Sequence, residues 1–127
     1  MTELSLCILK LPDGKFVFQR RSKDAPVSPG LIGLFGGHIE AGETADQAMS
    51  RELSEETSLD INALTVTSVG KFDMLEDGTR VFLYKSEIED YSFEVFEGDG
   101  LEVYSLEEVL EKDDVTNIVK ALLPHST

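Results

Sequence analysis

Between Gly37 and Leu59 the chain reads glycine, five residues, Glu43, seven residues, then Arg51-Glu52-Leu53, with Glu55, Glu56 and Leu59 following. This segment constrains the fold more than any other, because it crowds three carboxylates into one short helix. Glu52, Glu55 and Glu56 stand at i, i+3 and i+4, the spacing that lets helical side chains converge. Thr44 opens the helix: its hydroxyl can accept from the Gln47 N–H while Gln47 reaches back, a capping box. With residues set at about 100° per step, one side carries Ala45, Ala48, Met49, Glu52, Leu53, Glu55 and Glu56. The other carries Asp46, Gln47, Ser50, Ser54 and Thr57. A charge run usually marks a solvated face. Here that face is already supplied by neutral polar residues and one aspartate. The glutamates border the apolar stripe, where an unpaired carboxylate is costly, so a cation or Arg51 must compensate them.

Carboxylates are hard oxygen donors that suit magnesium, with manganese as the alternative. Magnesium keeps coordination positions for water and substrate phosphate. No cluster of cysteine and histidine supports zinc. Gly36-Gly37 reads as a turn leading toward the helix, where absent side chains let backbone approach metal or phosphate closely. Together these features point to a divalent-metal site that handles phosphate.

Charge agrees with that reading. Lys and Arg number 11 against 25 Asp and Glu, a net charge of −14. A duplex nucleic-acid binder needs a basic face, and none is evident. A polyphosphate is itself an anion and would be repelled unless metal ions bridged it to the protein. The metal is therefore expected to be obligatory. Cys7, the single cysteine, lies in an apolar strand-like run and reads as core. It cannot form an internal disulfide, and neither His38 nor His125 is placed as its base partner. A reducing cytoplasm fits. No apolar run reaches membrane-spanning length and no leader pattern opens the chain, so no membrane partner is expected. The length suits one domain, residues 1–127.

Residues 4–11 read as a buried strand, Pro12-Asp13-Gly14 as a turn, and residues 16–21 as the hairpin partner. The stretch 22–30, with two prolines, reads as a loop at a substrate rim. Beyond the acidic helix, residues 63–72 and 80–87 read as strands joined through the hairpin signal Glu76-Asp77-Gly78-Thr79. Residues 91–96 and 101–104 read as shorter strands. Ser105-Leu106-Glu107-Glu108 is a second capping box. Asp114 is expected to cap a last helix whose apolar face is Val115, Ile118, Val119 and Leu122. The pattern supports α/β or α+β, a mixed sheet covered by helices.

At the Gly37–Leu59 segment the sequence resembles the Nudix hydrolase family. That family's box is Gly, five residues, Glu, seven residues, Arg-Glu-U-x-Glu-Glu-x-Gly-U, with U aliphatic. Gly37, Glu43, Arg51, Glu52, Leu53, Glu55, Glu56 and Leu59 match, and Ser58 departs from the glycine. Serine there should cost about 1 kcal/mol, or the helix must end differently. Phe35 is a second departure, since many nucleotide-hydrolysing members carry proline before the glycine pair.

The resemblance implies an α/β/α sandwich with a catalytic loop and helix. It implies that Glu52, Glu55 and Glu56 bind metal and that Glu52 or Glu55 acts as general base. Arg51 and Glu43 would hold loop and helix in register by a salt bridge, placing Arg51 within the catalytic set. The Gly36 carbonyl would be a backbone ligand. Glu97 would add a carboxylate, with Glu94 and Glu102 as its neighbours in contention. Arg20 and Arg21 would meet the substrate. The activity implied is magnesium-dependent hydrolysis of a nucleoside diphosphate linked to some group X. A nucleoside triphosphate giving monophosphate and pyrophosphate comes first; nucleotide sugars and dinucleoside polyphosphates are alternatives. A nucleotide sensor that does not cleave, or a prenyl diphosphate isomerase, would be other uses of the fold. A homodimer is compatible with the resemblance.

Overall fold

The apolar run near the N-terminus forms β1 (Glu3–Lys10), and the rest of the sheet is built around it. The computed structural model describes residues 2–74 and 78–126. After the 12–14 turn, β2 (Phe16–Arg20) returns antiparallel with Val17 opposite Leu9. The 22–30 loop leads to β3 (Ile32–Gly33) and β4 (Phe35–His38). β4 lies antiparallel to the first half of β1, with Gly36 opposite Leu6. β5 (Val66–Met74) and β6 (Thr79–Glu87) pair antiparallel, and β6 runs parallel to β1. β7 (Leu101–Tyr104) pairs with β2. Among the described residues this makes one mixed, seven-stranded sheet with the path β3-β2-β1-β6-β5. β1 takes the interior position because its run is apolar on both faces.

Strand alternation divides the core in two. Cys7, Leu9, Val17 and Phe35 pack on Met49 and Leu53 of α1 (Ala45–Glu56). Leu6, Ile8, Phe16 and Phe18 pack on the opposite side with Val109 of α2 (Leu106–Leu110) and Val119 and Leu122 of α3 (Asn117–Leu122). Helices thus cover both faces, the sandwich expected. Cys7 is fully buried, and burial pushes its thiol up to about 12, as for a core residue rather than a nucleophile. No described helix is long and apolar enough to cross a membrane.

Several expectations are corrected. Gly36 and Gly37 lie in strand β4, not in a turn. A Cβ on Gly36, whose φ is +132°, would sit 2.1 Å from the Ser5 carbonyl oxygen of β1. A Cβ on Gly37 would sit 2.6 Å from Glu52 Oε1. These positions need space against a neighbouring strand and a side chain. Gly36→Ala is expected to lower stability by on the order of 3 kcal/mol, read by urea denaturation.

Residues 91–96 form no strand; their one ladder contact is an isolated bridge between Val95 and Thr57. Their backbone groups are taken by the end of α1 instead: the Phe96 N–H donates to the Glu56 carbonyl and Glu94 accepts from the Ser58 N–H. Asp114 does not cap α3; the hydroxyl of Thr116 accepts from the Val119 N–H and is the cap. The strand expected from residue 63 begins at Val66, because Asp60 caps a short 3-10 turn at Ile61–Ala63. Of the 76–79 hairpin signal, Glu76 and Asp77 lie outside the described residues.

Candidate active site

The Thr44 capping box forms as the sequence implies and sets the start of α1 beside the 39–43 loop. From the second turn Arg51 reaches back across that loop. Its Nε donates to Glu43 Oε2 at 2.6 Å and its Nη2 to Glu43 Oε1 at 3.0 Å, a two-pronged pair of the strong kind. The same Nη2 donates to the His38 carbonyl, so strand β4, the loop and the helix meet at one guanidinium. Nη1 donates to Glu52 at 3.0 Å and to Glu55 at 3.4 Å. Arg51 holds the Glu43 carboxyl below the usual carboxylate range.

The three helical glutamates differ in setting. Glu56 is 3% exposed, and its Oε1 accepts from the Gly36 N–H at 2.8 Å. Burial pushes its pKa up to about 8; Glu52 and Glu97 add to that, and the Gly36 bond opposes it. Glu52 is partly buried against the bare Gly37 backbone, and burial raises its pKa while Arg51 pulls it down. Glu55, whose side chain is 53% exposed, is not beside the apolar stripe as the helical projection placed it. The projection treats the helix as half buried, whereas the buried residues of α1 are Ala48, Met49, Leu53 and Glu56 alone. Thr57, assigned to the solvent side, is buried: the helix has ended there and its hydroxyl donates to the Leu53 carbonyl.

Nor do the acidic side chains already converge. Among the described residues no three carboxylate, histidine or cysteine groups stand in a metal-holding arrangement. Their oxygens are instead drawn to Arg51 and to the Gly36 N–H. Like charges separate unless something of opposite sign lies between them.

Glu97, in the segment that lies against the end of β2, is close enough for its charge to raise both Glu52 and Glu56. Of its two neighbours in contention, Glu102 is engaged by Arg20, while Glu94 is exposed with its N–H bonded to Ser58. Arg20 ends β2 and Arg21 follows it, and the two side chains go to different sides. Arg20 takes the α3 side, where Nε and Nη2 donate to Glu102 and Nη1 to Asp114 and the Gly30 carbonyl. With every guanidinium nitrogen bonded within the chain, Arg20 braces β7, the 22–30 loop and the entry to α3. Arg21 is on the glutamate side: its charge acts on Glu56 and its Nε donates to the Val27 carbonyl. A cleft of about 320 Å³ opens there between Arg21, Pro26 and Glu97. A broader groove of about 1230 Å³ at the other end of β1, near Lys10 and Lys85, is lined by none of Glu52, Glu55, Glu56 or Glu97.

Sequence reasoning gave Gln19 no role. The residue is 3% exposed, and its Nε2 donates to the Glu97 carbonyl at 3.0 Å. A polar residue in the buried register of a strand was the one available signal.

A sheet clasped between helices, with a capped acidic helix tied by arginine to a glycine-bearing strand, defines the class. The chain belongs to the NUDIX domain family, whose model matches residues 3–124. It is 33% identical over 95 residues to an uncharacterized Nudix hydrolase, all7351, of Nostoc sp. strain PCC 7120. That match covers 73% of this chain and spans 56% of the relative's length. Among solved structures the fold is similar to DR0079 from Deinococcus radiodurans, with TM-score 0.85 and 20% identity over 97% of this chain and 81% of that one. It is also similar to the NUDIX domain of Shewanella oneidensis NrtR complexed with ADP-ribose, with TM-score 0.77 and 17% identity over 98% of this chain and 84% of that one. At these identities the structural likeness concerns the fold.

Proposed function

We propose that the protein, read as one domain over residues 1–127, is a magnesium-dependent hydrolase of the diphosphate bridge in a nucleoside diphosphate linked to a group X. A nucleoside triphosphate, cleaved to monophosphate and pyrophosphate, is the first substrate to try. The observation that carries the reading is Glu56. A buried carboxyl raised to about 8, with the charges of Glu52 and Glu97 adding to the rise, is a group that a cation would stabilise.

The donors fit a hard divalent ion, since all are oxygens and no thiolate or imidazole joins them. Glu52, Glu55, Glu56, Glu97 and the Gly36 carbonyl would hold magnesium or manganese. When bound, the metal supplies neutralisation of the phosphate oxygens and of the leaving group. The chain's own residues do the rest. Glu52 or Glu55 takes the proton of the water that attacks phosphorus. Arg51 keeps Glu52 oriented through its 3.0 Å bond. Arg21, at the rim of the cleft, offers positive charge to the substrate phosphates, which the net charge of −14 would otherwise repel. The lone buried thiol and the acidic surface suit a cytoplasmic enzyme of small molecules rather than a reader of duplex nucleic acid.

The ADP-ribose complex of the NrtR domain favours a second reading within the same chemistry, a nucleoside diphosphate joined to a sugar. The test is release of phosphate or pyrophosphate from nucleoside triphosphates, nucleotide sugars and dinucleoside polyphosphates, with magnesium and with chelator. Metal-dependent release from one class supports hydrolysis and names X. Silence across the panel from folded protein that still binds one of these ligands would favour the sensor instead.

A further inference from the structure

Ser58 stands where the resemblance calls for a glycine that ends the helix in a left-handed conformation. The helix ends otherwise here. Thr57 is the C-cap, in extended conformation at φ −137° and ψ 162°. The only non-glycine residue with positive φ among those described is Ser28, so Ser58 carries no left-handed strain. With the chain extended, residues 56–58 run alongside residues 94–96 and bond to them. The Phe96 N–H donates to the Glu56 carbonyl at 2.7 Å, and the Ser58 N–H to the Glu94 carbonyl at 2.9 Å. The serine then adds what glycine lacks: its Oγ accepts from the Glu94 N–H at 2.8 Å.

A second set of contacts holds the other end of the same segment. Gln19 Nε2 donates to the Glu97 carbonyl at 3.0 Å, and the Asp99 N–H donates to the Arg20 carbonyl at 2.8 Å. Gly98 fits against β2 only because it has no side chain, since a Cβ would lie 2.4 Å from the Arg20 carbonyl oxygen. Glu97 lies between these two attachments. It belongs to no strand or helix that could hold it by repeated hydrogen bonds.

We propose that Ser58 and Gln19 are positioning residues, which pin the 94–99 segment at its two ends so that the Glu97 carboxylate stays beside Glu52 and Glu56. The proposal rests on the reading of Glu97 as a metal ligand. The extended end of α1 and the serine hydroxyl form one device: a departure from the family box converted into an attachment for a ligand-bearing arm. Ser58 acts from the helix end and Gln19 from strand β2, so each removes a different freedom of the same carboxylate. Groups that orient metal ligands through hydrogen bonds typically affect metal affinity without touching the ion.

The test is Mn²⁺ binding followed by loss of the free-ion electron paramagnetic resonance signal. The proteins are wild type, Glu97→Gln, Ser58→Ala, Gln19→Met, the pair Ser58→Ala/Gln19→Met, and that pair combined with Glu97→Gln. Ser58→Thr, which keeps a hydroxyl, is the conservative control, and melting temperatures check folding. Glu97→Gln is expected to weaken Mn²⁺ by about tenfold or more, the pair Ser58→Ala/Gln19→Met to approach that loss, and Ser58→Thr to restore affinity in part. Added to Glu97→Gln, the pair is expected to change little, because both act through one carboxylate. Full affinity in Ser58→Ala and Gln19→Met, with Glu97→Gln weakened, overturns the proposal and leaves the metal reading intact. An equal loss from the pair in the Glu97→Gln background overturns it as well, since the effect would then not pass through Glu97. Unchanged affinity in Glu97→Gln removes the ligand on which the proposal stands, and wild type that binds no Mn²⁺ overturns the metal reading itself.

Discussion

Glu52→Gln is expected to lower kcat by on the order of 10²-fold or more while the fold persists. Glutamine keeps the shape of the side chain. Its carbonyl can still accept from Arg51 Nη1, which donates to Glu52 Oε1 at 3.0 Å. What is lost is the capacity to take a proton and one unit of negative charge. The partly buried setting against Gly37 raises the basicity of Glu52 above that of an exposed glutamate, and Arg51 limits the rise. Glu55→Gln makes the comparison informative. Glu55 is half exposed and held by Arg51 at 3.4 Å. Whichever variant loses more kcat, at matched far-ultraviolet circular dichroism and melting temperature, marks the base. Near-normal turnover in both would remove the catalytic assignment.

Glu56 controls a second, thermodynamic effect. Its folded pKa of about 8 lies above the ordinary value of 4.5. Between those values the folded state holds a proton that the unfolded state has released. Stability is therefore greatest below the lower value, falls as pH rises between the two, and levels off above the higher one. The difference is on the order of a few kcal/mol for a group buried this deeply. The melting temperature of metal-free wild type should thus fall more steeply from about pH 5 to about pH 8 than that of Glu56→Gln. Magnesium competes with the proton, so it should raise the wild-type melting temperature more at the higher pH and do so little in the variant. Scanning calorimetry at the two pH values reads both. Parallel pH slopes in the two proteins would show that burial does not hold Glu56 protonated.

The two experiments probe different parts of one arrangement. Glu52 keeps part of its side chain exposed, whereas Glu56 is buried and bonded to the Gly36 N–H of β4. A carboxyl so enclosed is poorly placed to exchange protons with a substrate and well placed to anchor a cation.

Much of the site was legible because it is local. The capping box, the Glu43–Arg51 pair and the run of glutamates lie within 14 residues of one another, from Glu43 to Glu56, and helical geometry relates them directly. Buried Cys7 and the two-faced apolar run of β1 followed from composition, since such a run has no stable place but the interior. Alternation also predicts that Arg20 and Arg21 point opposite ways, but not which face of β2 receives α1. Packing decided that, and it turned Arg20 into a brace and left Arg21 at the cleft. The glycine pair was misread because its requirement for space comes from Ser5 and Glu52, contacts made only when β4 docks on β1 and α1. Asp114 lost its capping role because a guanidinium 94 residues earlier in the chain claimed it. The bonds that seat Glu97 are also long-range: Ser58 to Glu94 is 36 residues and Gln19 to Glu97 is 78. No periodicity encodes such pairings. A hydrogen bond is directional over a few tenths of an ångström, and only the assembled sheet and helix bring those donors and acceptors within reach.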